Sequence, residues 1–155
     1  MGSVQTAYAA SIDRAYAGQL YGLNPNRTVT YLAETTVITP GIVVTEGTTP
    51  AQAVKGGDAG VWGGIVVRRL DTEGNVTTNA IEYEVGEAMN VMQWGDIYVD
   101  LANTGSKGDP IFYTDTTGVI SAGTASTGQT QITNGVLAED VAAAGIALIR
   151  IKEGV

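Results

Sequence analysis

The sequence predicts an all-β protein, a small antiparallel β-barrel or sandwich with an extended N-terminal arm, on three observations. Its short apolar runs are rich in Val, Ile, Thr and Tyr, whose branched or flat side chains suit a pleated, half-buried surface. Glycine supplies 21 of 155 residues, about twice the usual share of roughly 7%, and is scattered between those runs as turn punctuation. Turn signals recur about every ten residues, the spacing of a sandwich or small barrel. We divide the chain into an arm over residues 1–27 and a single β-rich domain over residues 28–155.

Along the arm, Tyr8, Ile12, Tyr16 and Leu20 recur every fourth residue and can line one face of a short helix, with Ser11 as its N-cap. The same composition, rich in alanine and running into Asn24-Pro25-Asn26, suits an extended arm that packs its tyrosines on another chain, which is the reading adopted here. Strands are expected at Gly41 to Thr45, Ile65 to Arg68, Asn90 to Trp94, Asp96 to Leu101 and Ile146 to Ile151. In the fourth, Ile97, Val99 and Leu101 alternate with Asp96, Tyr98 and Asp100, which predicts one dry and one wet face. Arg150 is expected to point outward from the last.

Asp71-Thr72-Glu73-Gly74-Asn75 and Asp115-Thr116-Thr117-Gly118 each set a short polar side chain at the entry and a glycine where positive φ is needed, so both read as hairpins. The second is expected to join Pro110–Thr114 to Val119–Ala122. Between Gly135 and Gly145 the alanines favour helix, but the stretch is too short to hold one alone, and strand, tight turn, strand is expected.

The chain has no cysteine and no histidine, so serine triads with a histidine base, thiol enzymes and thiolate or imidazole metal sites are excluded. Lys+Arg 8 against Asp+Glu 16 gives a net charge of -8, which repels nucleic acid and anionic membranes alike. No basic segment followed by a long apolar run opens the chain, and no apolar stretch approaches the roughly 20 residues of a membrane span, so a soluble protein is expected.

Oxygen-based chemistry survives that filter. Asp71, Glu73, Asn75 and Glu82 fall at calcium-loop spacing, but Val76 stands where such a loop needs glycine, and the hairpin reading is preferred. Glu82 and Glu84 would share a strand face roughly 6.6–7 Å apart, a separation an inverting hydrolase can use. Their alternation with Ile81, Tyr83 and Val85 reads better as a solvated strand face. Trp62 and Trp94 each sit in an apolar run, where a core or interface anchor is the more frequent use than a sugar platform.

Several strings in succession resemble the structural cement, or decoration, proteins of tailed-phage capsids. They are Gln5-Thr6-Ala7-Tyr8 with Ala15-Tyr16-Ala17-Gly18-Gln19-Leu20, and Tyr83-Glu84-Val85-Gly86-Glu87-Ala88-Met89-Asn90-Val91 leading to Ile97-Tyr98-Val99. Gly108-Asp109-Pro110-Ile111-Phe112-Tyr113 and Gly135-Val136-Leu137-Ala138-Glu139-Asp140-Val141 through Leu148-Ile149 complete the set. The resemblance implies a non-enzymatic virion protein, without cofactor or bound metal, assembled in the host cytoplasm onto the capsid exterior. There it would tie neighbouring major capsid protein subunits together, often as a homotrimer, with no nucleic-acid or membrane partner. Tyr8, Tyr16, Tyr21, Trp62 and Trp94 are the expected partner contacts. The rival reading is a β-sandwich carbohydrate-binding or fibre-like adhesion module, which would use an exposed Trp62 or Trp94.

Overall fold

The computed structural model describes residues 15–57, 60–69 and 81–154, and among them there is no helix. Nine strands follow in order: β1 (Arg27–Ala33), β2 (Val43–Glu46), β3 (Gln52–Lys55), β4 (Trp62–Val66), β5 (Ala88–Leu101), β6 (Pro110–Thr114), β7 (Ile120–Ala122), β8 (Gln129–Leu137) and β9 (Gly145–Ile151). The all-β expectation holds. Residues expected to form two strands, 90–94 and 96–101, run on as the single β5, which passes through Gly95 without a break.

β5 is the hinge of the architecture. Its first half pairs with β1 on one edge, Thr28 opposite Met92 through Leu32 opposite Ala88, and with β4 on the other. Its second half pairs with β9 from Gly95 opposite Ile151 to Leu101 opposite Gly145. The order β1-β3-β2-β4-β5 therefore closes on itself into a five-stranded barrel. The order β5-β7-β6-β8-β9 closes in the same way, with one bridge, Leu101 to Ile120, joining β5 to β7. β1–β3 and β5–β7 are the parallel pairings; the other strand pairs are antiparallel.

Two cores result. Tyr31, Ile38, Val44, Val66, Tyr83, Met89 and Val91 fill the first barrel. Val43, Ile65, Met92, Ile97, Val99 and Ile149 belong to the second core. Successive residues of a strand point to opposite faces, so Val43 and Val44, Ile65 and Val66, and Val91 and Met92 each feed both cores at once. The three strands that carry these pairs form a wall with no wet side, which is why they read as continuous apolar runs.

At the waist of that wall, Gly63 and Gly64 let β4 squeeze between β2 and β5. Gly64 has φ 136, and a Cβ there would run into the Met92 carbonyl oxygen and stand 2.7 Å from Val91 Cγ1.

The expected wet face of Asp96 to Leu101 is overturned. Ile97, Val99 and Leu101 are buried as expected, and Asp100 is exposed, but Asp96 and Tyr98 are only 6% and 7% exposed. What covers them is the arm's own end, a strap formed by residues 15–24. Gly18 N–H donates to the Tyr98 carbonyl at 2.8 Å, Tyr98 N–H to the Gln19 carbonyl at 2.9 Å, and Tyr21 N–H to the Asp96 carbonyl at 3.0 Å. Leu20 bridges Ile97 in antiparallel sense, so the strap extends along the β5 edge that β1 occupies further on. The described part of the arm holds no helix; it turns at residues 17–18 and 22–23 and lies on its own barrel, and Ser11 lies outside the described residues.

The Pro110–Thr114 hairpin forms as expected, with Phe112 opposite Ser121. Beyond Gly135 the two strands form and Leu137 pairs with Ile149, but a loop spanning residues 138–144 joins them in place of the tight turn expected. The 71–75 hairpin and the calcium-like spacing fall outside the described residues, apart from Glu82.

Candidate interaction surfaces

The strap face is built on a small buried cluster. Ala15, Tyr98 and Leu148 pack together with Ala138 against them, and this patch seats the strap on the second barrel. Gly18 fits because nothing projects from it: an added Cβ would meet the Arg68 backbone nitrogen at 2.8 Å and the Val66 carbonyl at 2.9 Å. The side chains that follow from this seating point away from the core. Tyr16 is 50% exposed, Tyr21 43%, and Leu23 entirely so. Tyr21 meets Tyr98 edge-on, with ring centres 5.8 Å apart, and Tyr16 carries the Arg68 guanidinium 4.5 Å above its ring. Both tyrosines are thus held at their base and open at their rim.

A charged clamp fixes the strap's end. Arg150 of β9 donates through Nε to Asp96 Oδ1 at 2.8 Å and through its terminal nitrogen to Oδ2 at 2.9 Å, a fork on a carboxylate. Asn24 Nδ2 donates to the same Oδ2 at 2.8 Å. The Arg150 hydrogen bonds hold the Asp96 carboxyl below the usual carboxylate range, against the opposing pull of burial and with the help of Asn24. Arg150 is raised in turn by its bonds to Asp96. The register explains the pair, since Asp96 and Arg150 stand directly opposite across β5 and β9.

The second surface is a groove of about 600 Å³ where the two barrels meet. Trp62 of β4 and Trp94 of β5, distant in sequence, both line it, with Arg27, Gln131, Asn134 and Lys152 among the remaining walls. Both indoles are partly buried against the second core, and Trp62 Nε1–H donates to the Gln93 carbonyl at 3.2 Å. Asn134 enters the groove from a stretch of β8 where the register to β6 shifts, and it is the one non-glycine residue of positive φ (63) among the described residues. Such an irregularity re-aims side chains out of a regular ladder. A shallower hollow of about 340 Å³, lined by Asn24, Trp94, Asp96 and Arg150, joins this groove to the clamp.

Of the expected contact residues, then, the structure brings Trp62 and Trp94 together and places Tyr16 and Tyr21 on one strap; Tyr8 lies outside the described residues. Glu82 and Glu84 flank the buried Tyr83, and the chain leaves that extended segment at once in a turn, where Glu87 N–H donates to the Glu84 carbonyl at 2.9 Å. Among the described residues no three acidic side chains converge as a metal site would need. Sequence reasoning missed the Asp96–Arg150–Asn24 clamp and the Arg68–Tyr16 stack. Asp96, an acidic residue set among the apolar side chains of β5, was the available signal for the first.

Comparison with known proteins completes the picture. A family model described as structural cement protein (E217 gp24/Pam3 gp6) matches residues 4–152. No curated protein matches the chain. Among solved structures, a chain from the capsid of Myoviridae phage XM1 superposes with a TM-score of 0.80 over 99% of this chain and 100% of that one, at 17% identity, a likeness of fold.

Proposed function

The chain belongs to the phage structural cement protein family, a structural capsid family, and on that premise we propose that it binds the outside of an assembled head and ties neighbouring major capsid subunits together. The observation that carries this reading is the family match across residues 4–152. In this role the protein acts without catalysis or cofactor, and its partners are capsid subunits and further copies of itself, not nucleic acid or membrane. Rigidly seated, half-exposed tyrosines support the assignment of Tyr16 and Tyr21 to the contact, because they offer large area with few rotors to freeze. Trp62 and Trp94 are assigned to a second contact in their groove, and Tyr8 to the same arm as Tyr16. Many weak sites acting together on a shell give firm attachment at modest affinity per copy.

The test is to titrate purified protein onto heads assembled from the cognate major capsid protein without it. Wild type should saturate them, and the double variant Tyr16→Ala/Tyr21→Ala should bind about thirtyfold more weakly, on about 1 kcal/mol lost per truncated contact residue. Failure of wild type to bind would refute the reading, and an undiminished double variant would refute the tyrosine assignment. A cut after Arg14 is the appropriate deletion for testing Tyr8, since removing residues through 23 would also uncover Tyr98 and Leu148.

Oligomeric state gives a second check. Light scattering should return three times the chain mass of 16.0 kDa if the homotrimer forms free in solution. A trimer that dissociates with chelator would point to an interfacial cation. A monomer would confine trimer formation to the shell.

A further inference from the structure

The strap closes a cavity of about 520 Å³ against the segment that leaves β4, and Tyr16, Gln19, Leu20, Arg68, Arg69 and Ile81 line it. Its charge is unlike that of the rest of the chain. Only 8 basic residues face 16 acidic ones in the whole sequence, yet two consecutive arginines open here. They differ in how far the chain neutralises them. Among the described residues Arg68 has no ion pair, and its guanidinium lies over Tyr16. Arg69 stacks 4.5 Å over Tyr83, and one terminal nitrogen pairs with Glu87 at 3.6 Å and donates to the Glu82 carbonyl at 3.5 Å, while its Nε–H is buried without an acceptor. An arginine has five donors, so both forks retain capacity that the chain does not use.

The cavity is also set before any partner arrives. Arg68 N–H donates to the Gly18 carbonyl at 2.8 Å and Val67 N–H to the Asn90 carbonyl at 2.8 Å, which pins this segment to the strap on one side and to β5 on the other. The aromatic rings under both guanidinium planes hold the forks in place, which lowers the ordering cost of binding. Leu20, Val67 and Ile81 give the cavity an apolar side.

We propose that this cavity receives an acidic side chain with an apolar neighbour, presented by a loop of the major capsid protein. The carboxylate would take the guanidinium of Arg68 and the outer nitrogen of Arg69 that Glu87 and Glu82 leave open, and the apolar neighbour would lie against Leu20 and Ile81. Planar forks match a carboxylate, and a net charge of -8 disfavours a nucleic-acid phosphate in its place. The proposal rests on the capsid-binding reading and names the chemistry of one of its contacts.

The experiment is the same head titration, run from about 50 to about 300 mM salt, across which the screening length falls below about 10 Å. Arg68→Ala should weaken binding about tenfold to a hundredfold at low salt and flatten the salt dependence seen with wild type, with its melting temperature lowered by no more than a few degrees through loss of the stack on Tyr16. Arg68→Lys should recover only part of the loss, because an ammonium has no fork. If wild type saturates heads and Arg68→Ala matches it at every salt concentration, the cavity proposal is overturned and the capsid reading stands. If wild type does not bind, both fall. If Arg68→Ala instead changes the mass in solution and leaves head affinity intact, the cavity serves a second copy of this chain, and the capsid loop is the wrong partner.

Discussion

Gly64→Ala is expected to lower the free energy of unfolding by about 4 kcal/mol, the sum of a strained backbone and an overpacked wall. Gly64 sits in β4 at φ 136, a conformation that L side chains rarely adopt. Relaxing it is blocked, because β4 pairs with β2 at Val44 and with β5 at Met92, on opposite edges. The new methyl group would be driven into the Met92 carbonyl, and Met92 belongs to the second core while its neighbour Val91 belongs to the first. Neither neighbour can yield without disturbing a core. Urea unfolding followed by tryptophan fluorescence would measure the loss, which is a large part of the roughly 5–15 kcal/mol that holds a typical domain together. A change under about 1 kcal/mol would mean that the wall can shift at its waist, contrary to the packing described.

Asp96→Asn should cost about 2 kcal/mol at neutral pH, since it weakens two charge-assisted bonds from Arg150 and perturbs the bond from Asn24. The figure sits below the roughly 3–5 kcal/mol of a fully buried pair because Arg150 is 51% exposed and recovers water when its partner is lost. The pH dependence follows from the direction of the shift. Asp96 is held below its ordinary value of about 3.9, so the folded state binds its proton less readily than the unfolded chain does. Its contribution is complete above that ordinary value and is lost as pH falls through the lower, folded one. Stability of wild type and Asp96→Asn, measured from neutral pH downward, should therefore converge in acid. A gap that stayed constant into strong acid would show that folding leaves the Asp96 carboxyl at its ordinary value. Because Tyr21 and Asn24 both hang on Asp96, the variant should also loosen the strap, seen as faster amide exchange at Gly18 and Tyr21.

Local pattern carried β2, β4, β5, β9 and the Pro110–Ala122 hairpin, because alternation and turn chemistry are local properties, and it left β1, β3 and most of β8 unnamed. It could not carry the closures. The β1–β5 and β5–β9 pairings join residues far apart in the chain, and nothing in Thr28 or Ile151 names its partner. It also misjudged Asp96 and Tyr98, whose face is dry only because the strap returns to cover it. Val43-Val44 and Ile65-Val66 were the legible trace of a wall between two cores, since a strand with one wet face would not spend two large apolar residues in succession. At the candidate surfaces, the residue types were readable and the juxtapositions were not. Trp62 and Trp94 come to line one groove from adjacent strands, and Arg68 finds Tyr16 only after the chain has folded back.

The 14 residues of β5 also decide how the molecule bears load. A strand counted once in each of two closed rings leaves neither ring free to open alone: unzipping β9 bares the second core, and unzipping β1 bares the first. Loss of either partner strips a shared backbone, so the two barrels should melt as a single cooperative body. A pull applied at the strap and resisted at the far barrel runs lengthwise through that one strand, loading its ladders in shear, many hydrogen bonds together, and not by peeling them one at a time.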